Sequence, residues 1–212
     1  MLRPFALLYA LAALGTDADP VLTPGQIADK VAAAVVSIRA DTPAGESAGF
    51  GFIVDPLGTV VTSLHVVEGA TAIRVKLASG LIYDHVRIRA QETRTDLALL
   101  QLDGFGLPTV SLGDSDALRA GDAVVALSHP AGGEGRVAPG TVRRLRRTAA
   151  GLRMIEKDAR ADRGSSGGPL MTMDGRVVGV VSAKLRGHRR SRLAIPINEA
   201  RRLMSSAAAH PQ

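Results

Sequence analysis

Short runs rich in Val, Ile, Leu and Thr recur along most of this chain, each closed off by Gly, Pro or Asp, and this rhythm constrains the fold more than any other feature. Apolar and β-branched runs of that length, bounded by turn residues, form β-strands. A first set covers Val35–Arg39, Gly49–Val54, Thr59–Ser63, Ala72–Leu77, Val86–Ala90 and Leu97–Leu102. A second covers Ala123–Leu127, Gly140–Arg146, Leu152–Lys157, Pro169–Met173, Arg176–Ala183 and Arg192–Pro196. Two six-strand sets predict an all-β barrel or sandwich architecture. Gly104-Phe105-Gly106-Leu107-Pro108 reads as the crossover between them. Helical patterns flank the strands. Gly25–Ala32 predicts one or two turns, and Asn198–Met204 predicts a C-terminal helix capped by Asn198, with a frayed tail from Ser205. The expected division is an N-terminal segment over 19–34, a first β unit over 35–104, a second with the C-terminal helix over 105–204, and a tail over 205–212.

The 212 residues suffice for one large domain or two small ones. Hydrophobic residues make up 46%, but aromatics only 3% with no Trp, so the core must be built from Val, Leu, Ile and Ala. Net charge is +6, which favours anionic partners in general. Nucleic acid is not expected, because two Tyr and four Phe offer few stacking platforms and the basic residues cluster locally rather than along a reading helix. With no Cys, there is no disulfide, thiol nucleophile or thiolate metal site, and the five His lack paired ligand spacing, so neither a metal nor another cofactor is expected. Arg3, the apolar run Pro4–Leu14 and the polar exit Gly15–Pro20 have the pattern of a signal peptide over residues 1–18. That reading predicts a periplasmic or secreted protein. The run is short for a bilayer span, and the competing reading is a buried N-terminal helix.

Three segments carry chemistry. In Asp162-Arg163-Gly164-Ser165-Ser166-Gly167-Gly168-Pro169, a glycine two residues before Ser166 lets the backbone turn so that the amides of Gly164 and Ser166 converge on one oxygen. Gly167 and Gly168 are expected to let a substrate backbone approach without a Cβ in the way. A serine hydroxyl is a poor nucleophile without a base. His65, at the end of Val60–Ser63 and before Val66-Val67, is placed as a rigidly held base would be. Asp96, leading into Leu97–Leu100, is placed to be partly buried, where its carboxylate requires a partner such as an imidazole N–H. Singly these could be a Ser/Gly loop, a structural histidine and a turn aspartate. Together, the order His65, Asp96, Ser166 is that of chymotrypsin-like enzymes and not of subtilisins or α/β-hydrolases.

The residues then resemble a known family. Thr62-Ser63-Leu64-His65-Val66-Val67, Thr95-Asp96-Leu97-Ala98 and Gly164-Ser165-Ser166-Gly167-Gly168-Pro169 are similar to the three motifs of the HtrA/Deg proteases. Gly49–Asp55, Leu112-Gly113-Asp114-Ser115 and Leu193-Ala194-Ile195-Pro196 resemble that family's glycine-rich strand, inter-barrel segment and pocket-side strand. The resemblance implies two six-stranded antiparallel β-barrels, chymotrypsin-like, with the active site between them. It implies a serine endopeptidase acting on polypeptides, with His65, Asp96 and Ser166 catalytic and Gly164, Ser165 and Ser166 forming the oxyanion hole. Val181-Ser182-Ala183 resembles the strand that pairs with substrate, and Ser182 is expected to touch Asp96 as well. Ser165 stands where the family has Asn, and Ser128-His129-Pro130 where it has Gly-Asn-Pro, with His129 read as a loop residue. No PDZ domain is expected, and so no regulation through one in cis. A weakly active protease-fold binding or chaperone module is the alternative reading.

Specificity is thinly encoded. Arg160, six residues before Ser166, matches a position at the base of the first pocket. Turned inward it would favour acidic P1 side chains. Turned outward it leaves Ile195 and the low aromatic content to suit small aliphatic ones. The basic runs Arg143–Arg147 and Arg186–Arg192 read as solvated hairpins with Leu145 inward, or as contacts for an anionic membrane surface. The assembly state stays open between monomer and trimer.

Overall fold

The computed structural model describes residues 22–128, 136–148, 151–159, 164–182 and 193–209. The described residues open with helix α1, Pro24–Val31, started by a reciprocal cap. The Gln26 amide N–H donates to Thr23 Oγ1, and the Thr23 N–H to Gln26 Oε1. Proline in the first turn gives up no needed hydrogen bond. Ile27 and Val31, four apart on one face, are buried. A 3-10 turn, Ala32–Ala34, leads into the sheet.

The first half is a seven-stranded antiparallel half-barrel in the order β5-β4-β1-β2-β3-β7-β6. Its strands are β1 Val35–Thr42, β2 Gly45–Ile53, β3 Thr59–Ser63, β4 Ala72–Lys76, β5 Ile82–Tyr83, β6 Arg87–Glu92 and β7 Leu97–Gln101. The seventh strand, absent from the sequence reading, is the two-residue β5, too short to show any alternation. The short helix α2, Leu64–Val67, follows β3 directly.

The second half closes into a six-stranded barrel in the order β10-β13-β12-β11-β8-β9. Its strands are β8 Ala123–Ser128, β9 Arg136–Arg147, β10 Arg153–Lys157, β11 Pro169–Thr172, β12 Val177–Ser182 and β13 Leu193–Pro196. Helix α3, Ile197–Ala209, is the last described element. Half-barrel and barrel together form the chymotrypsin-like architecture that the resemblance implied.

Strands β3, β7 and β12 are buried on both faces, and a period of two lets such strands feed two cores at once. On β7, Leu97 and Leu99 enter the core between the halves, while Ala98 and Leu100 enter the core of the first sheet. On β13, Ala194 faces the barrel interior and Ile195 the shared core. Phe52 is the one fully buried aromatic side chain among the described residues, and Val, Leu and Ile supply most of the rest.

Helix α3 departs from its sequence reading at both ends. Asn198 lies inside the helix rather than capping it, and its Nδ2 donates to Asp114 Oδ1 at 2.7 Å. The first turn is satisfied instead by buried Ser115, whose Oγ accepts the Asn198 N–H at 3.2 Å. The helix also continues past Ser205 to Ala209, because Ala207 packs into the shared core.

Candidate active site

The first half supplies an imidazole and a carboxylate held in one geometry. His65 is the second residue of α2, so the turn that ends β3 aims its ring out of the sheet. Asp96 sits just before β7 with φ 55, the only described non-glycine residue with positive φ. Short polar side chains tolerate that left-handed backbone best. The conformation lets Asp96 meet α2 with three groups. Its carbonyl accepts the Leu64 N–H at 2.9 Å. Its Oδ1 accepts the His65 N–H at 3.0 Å, and its Oδ2 lies 2.7 Å from His65 Nδ1. A carboxylate that close fixes the tautomer with the proton on Nδ1 and leaves Nε2 bare. The Asp96 side chain is 7% exposed and that of His65 21%, so the pair is shielded while the outer edge of the ring stays open.

Ser182, the last residue of β12, donates its Oγ hydrogen to Asp96 Oδ2 at 3.0 Å. Its neighbour Val181 accepts the Gly167 N–H at 2.8 Å, one residue beyond Ser166. A chain of short contacts therefore links the Ser166 turn through β12 and Asp96 to His65. A second link runs through β2. Phe50 N–H donates to the Ser166 carbonyl at 2.8 Å. The position a Cβ would take on Gly49 lies 2.6 Å from Val66 Cγ2, on α2, and 2.9 Å from the Ser166 carbonyl oxygen. Gly49 thus lets the histidine-bearing helix and the serine turn meet over one strand.

The serine turn is buried: Ser165 is 2% exposed and Ser166 4%. Gly164 has φ +92 and Gly167 φ +85, both in the region reserved for glycine. The expectation that Gly167 and Gly168 make room for substrate is corrected. A Cβ on Gly167 would lie 2.0 Å from the Phe50 carbonyl oxygen and 2.4 Å from Thr62 Oγ1, and one on Gly168 would lie 2.6 Å from the Leu127 carbonyl oxygen. Their bareness serves the protein's own backbone. Thr62, whose Oγ1 donates to the Phe50 carbonyl at 2.6 Å, completes this junction and had no signal in the sequence beyond its place before His65.

Ile195, read as a pocket residue, is fully buried in the shared core and acts as packing. Arg160, Ala183, His129, the run Arg186–Arg192 and the 1–18 segment lie outside the described residues. Leu145 is partly exposed rather than inward. Among its neighbours, Arg144 pairs with Glu156 at 2.7 Å and Arg143 with Asp158 at 3.5 Å, so much of that hairpin's charge is answered within the barrel wall. No cluster of His, Asp or Glu able to hold a metal occurs among the described residues.

The family described as "Trypsin-like peptidase domain" matches residues 49–180, from the strand under the serine turn to β12. This chain belongs to the trypsin-like peptidase family. Within that family its likeness is to the HtrA type. It is 36% identical over 173 residues to the periplasmic serine endoprotease DegP of Salmonella typhimurium, covering 77% of this chain and 36% of that protein. Among solved structures, the HtrA-type protease AlgW with a tripeptide matches with a TM-score of 0.80 and 30% identity, over 90% of this chain and 65% of that one. The same protease with a decapeptide matches with a TM-score of 0.79 and 27% identity, over 90% and 69%. The chain spans less than half the length of the curated relatives it matches first.

Proposed function

We propose that this trypsin-like peptidase is a serine endopeptidase with Ser166 as nucleophile. The observation that carries the reading is the Asp96 carboxylate, held between the imidazole of His65 at 2.7 Å and the hydroxyl of Ser182 at 3.0 Å, beside the strand that anchors the Ser166 turn. A carboxylate so placed orients the ring and stabilises the imidazolium that forms when it takes a proton.

The reaction follows from those roles. Ser166 Oγ attacks the peptide carbonyl while its proton passes to His65 Nε2. The amides of Gly164, Ser165 and Ser166 receive the oxyanion. His65 returns the proton to the departing amine as the C–N bond breaks, leaving an ester on Ser166. Water, deprotonated by the same imidazole, then attacks the ester and releases the acid. Substrate lies as an extended strand against β12 at Ser182. Unfolded polypeptides fit this mode, since only an extended segment can add to a strand edge. An extracytoplasmic location is part of the proposal. It is supported by the signal-peptide pattern of residues 1–18 and by the relative named periplasmic. The Arg-rich stretches carry no part of it.

A fluorophosphonate probe should label wild-type protein at Ser166, and Ser166→Ala should lose both labelling and casein cleavage. Labelling that survives in the variant refutes the assignment. A binding module without turnover would have no use for a carboxylate-paired imidazole, and would hold an unfolded client equally well with or without Ser166.

A further inference from the structure

Lys157 ends β10 and is fully buried, the only described lysine or arginine in that state. A long cation inside a β-barrel is costly. Its surroundings on the barrel wall are apolar. Its partner across β9 is Val142, and Ile155 and Ala159 flank it in the chain, all three members of the barrel core. Strands β11, β12 and β13 contribute Leu170, Val178, Val181 and Ala194 to the same interior. The described acidic side chains next to it in the chain, and one beside β8, have other partners as well. Glu156 pairs with Arg144, and Asp158 pairs with Arg143. Asp158 also accepts the Thr141 N–H at 2.6 Å. Asp122, beside β8, accepts the Arg119 N–H.

The ammonium also holds backbone. Lys157 Nζ donates to the Ala159 carbonyl at 2.9 Å. The same dipeptide is gripped from β9. The Asp158 N–H donates to the Thr141 carbonyl at 3.2 Å. A Cβ on Gly140 would lie 2.3 Å from the Ala159 nitrogen and 2.5 Å from its Cα, so β9 is bare where Ala159 presses on it. Three independent features converge on the exit from β10. From there the chain runs to Gly164 and Ser166. The β10–β9 register also shifts between Glu156 and Lys157, which marks this exit as a built irregularity.

We propose that Lys157 is a positioning residue for peptide hydrolysis: with Gly140 and Thr141 it clamps Asp158–Ala159 and so fixes the root of the chain that presents Gly164 and Ser166 to substrate. The inference rests on the endopeptidase reading. It explains why a costly cation stands where an aliphatic side chain would pack, since stability given up near an active site is commonly exchanged for geometry. Burial pushes the ammonium down to about 8, with Asp158 pulling weakly the other way. The clamp therefore loses its charge, and with it the charge assistance of its hydrogen bond, in mildly alkaline solution.

The test uses the full chain, with kcat and KM on a chromogenic peptide and fluorophosphonate labelling rates from pH 6 to 10. Lys157→Met should melt no lower than wild type yet lose about 10- to 100-fold in kcat with KM little changed, the scale of a misplaced reacting group. Wild-type rates should fall as pH rises through about 8, and that fall should be missing in the variant. A variant whose kcat and pH profile superimpose on wild type overturns the inference. If the variant does not fold, NMR titration of the Lys157 ammonium in wild type decides. Titration without change in labelling rate overturns the inference, and a coincident fall supports it. A wild-type chain that neither labels nor cleaves overturns the endopeptidase reading, and this inference with it. A labelled wild type with an indifferent Lys157→Met overturns this inference alone.

Discussion

The two halves of the molecule hold their reactive groups by different means. In the half-barrel, His65 and Asp96 are fixed by hydrogen bonds between one helical turn and one aspartate, with backbone and side chain acting together. The core behind them is built mainly from Val, Leu, Ile and Ala. In the closed barrel, Ser166 sits on a turn between strands, held by backbone contacts that only glycines permit, and the barrel wall contains a buried cation. The base is thus locked by a carboxylate, the nucleophile by close packing of main chain. Substitutions should hurt the first through chemistry and the second through fit.

The largest effects test the chemical side. Ser166→Ala should abolish fluorophosphonate labelling, and Asp96→Asn should lower kcat on the order of 10⁴-fold by presenting the wrong tautomer, with little change in Tm. A large fall in Tm for Asp96→Asn would instead make the carboxylate a structural device and erase the contrast. On the packing side, Gly167→Ala should cost about 3 kcal/mol or more, because the new Cβ meets the Phe50 carbonyl at 2.0 Å. Gly164→Ala, with equally positive φ but open space around it, should cost only about 1 kcal/mol. Denaturant unfolding of both separates contact from backbone strain, and equal costs would show that the main-chain angle alone matters.

Lys157 gives the contrast a pH axis. Its folded-state value of about 8 lies below the ordinary 10.5, so the unfolded chain binds the proton more tightly. Stability should therefore rise with pH between about 8 and 10.5, by roughly 3 kcal/mol in total. Lys157→Met should gain a comparable amount at pH 7 and show no such rise, as urea midpoints across that range would reveal. Among the catalytic substitutions the smallest effect is expected for Ser182→Ala, which removes one of three hydrogen bonds to the Asp96 carboxylate and should lower kcat/KM about ten-fold, near 1.4 kcal/mol.

The strands were legible because their runs are apolar and evenly punctuated, and most observed bounds fall within a few residues of those read from sequence. β5 was not, since two residues carry no period. The His65–Asp96 contact and the Ser182 link to Asp96 were expected from motif order and family likeness, and both contacts occur. What sequence could not convey was the use of bareness. Gly167 and Gly168 looked like space for substrate, but the space is filled by Phe50 and Leu127 carbonyls from strands far away in the chain. Ile195 looked like a pocket wall because its motif suggested one, and alternation on β13 turns it into the shared core. Lys157 followed the pattern of a charged strand end, whereas the two-residue period from Ile155 carries it inward.

Asp96's left-handed backbone also decides which replacements can be interpreted. Asparagine is the residue that shares aspartate's ease there, so exchanging the two alters charge while leaving the local chain path at rest. Alanine would disturb the bend and remove the charge together, and a longer acid would disturb the bend while displacing the charge. Any survey of this position that omits the amide would mistake a kink in the main chain for the worth of a negative charge.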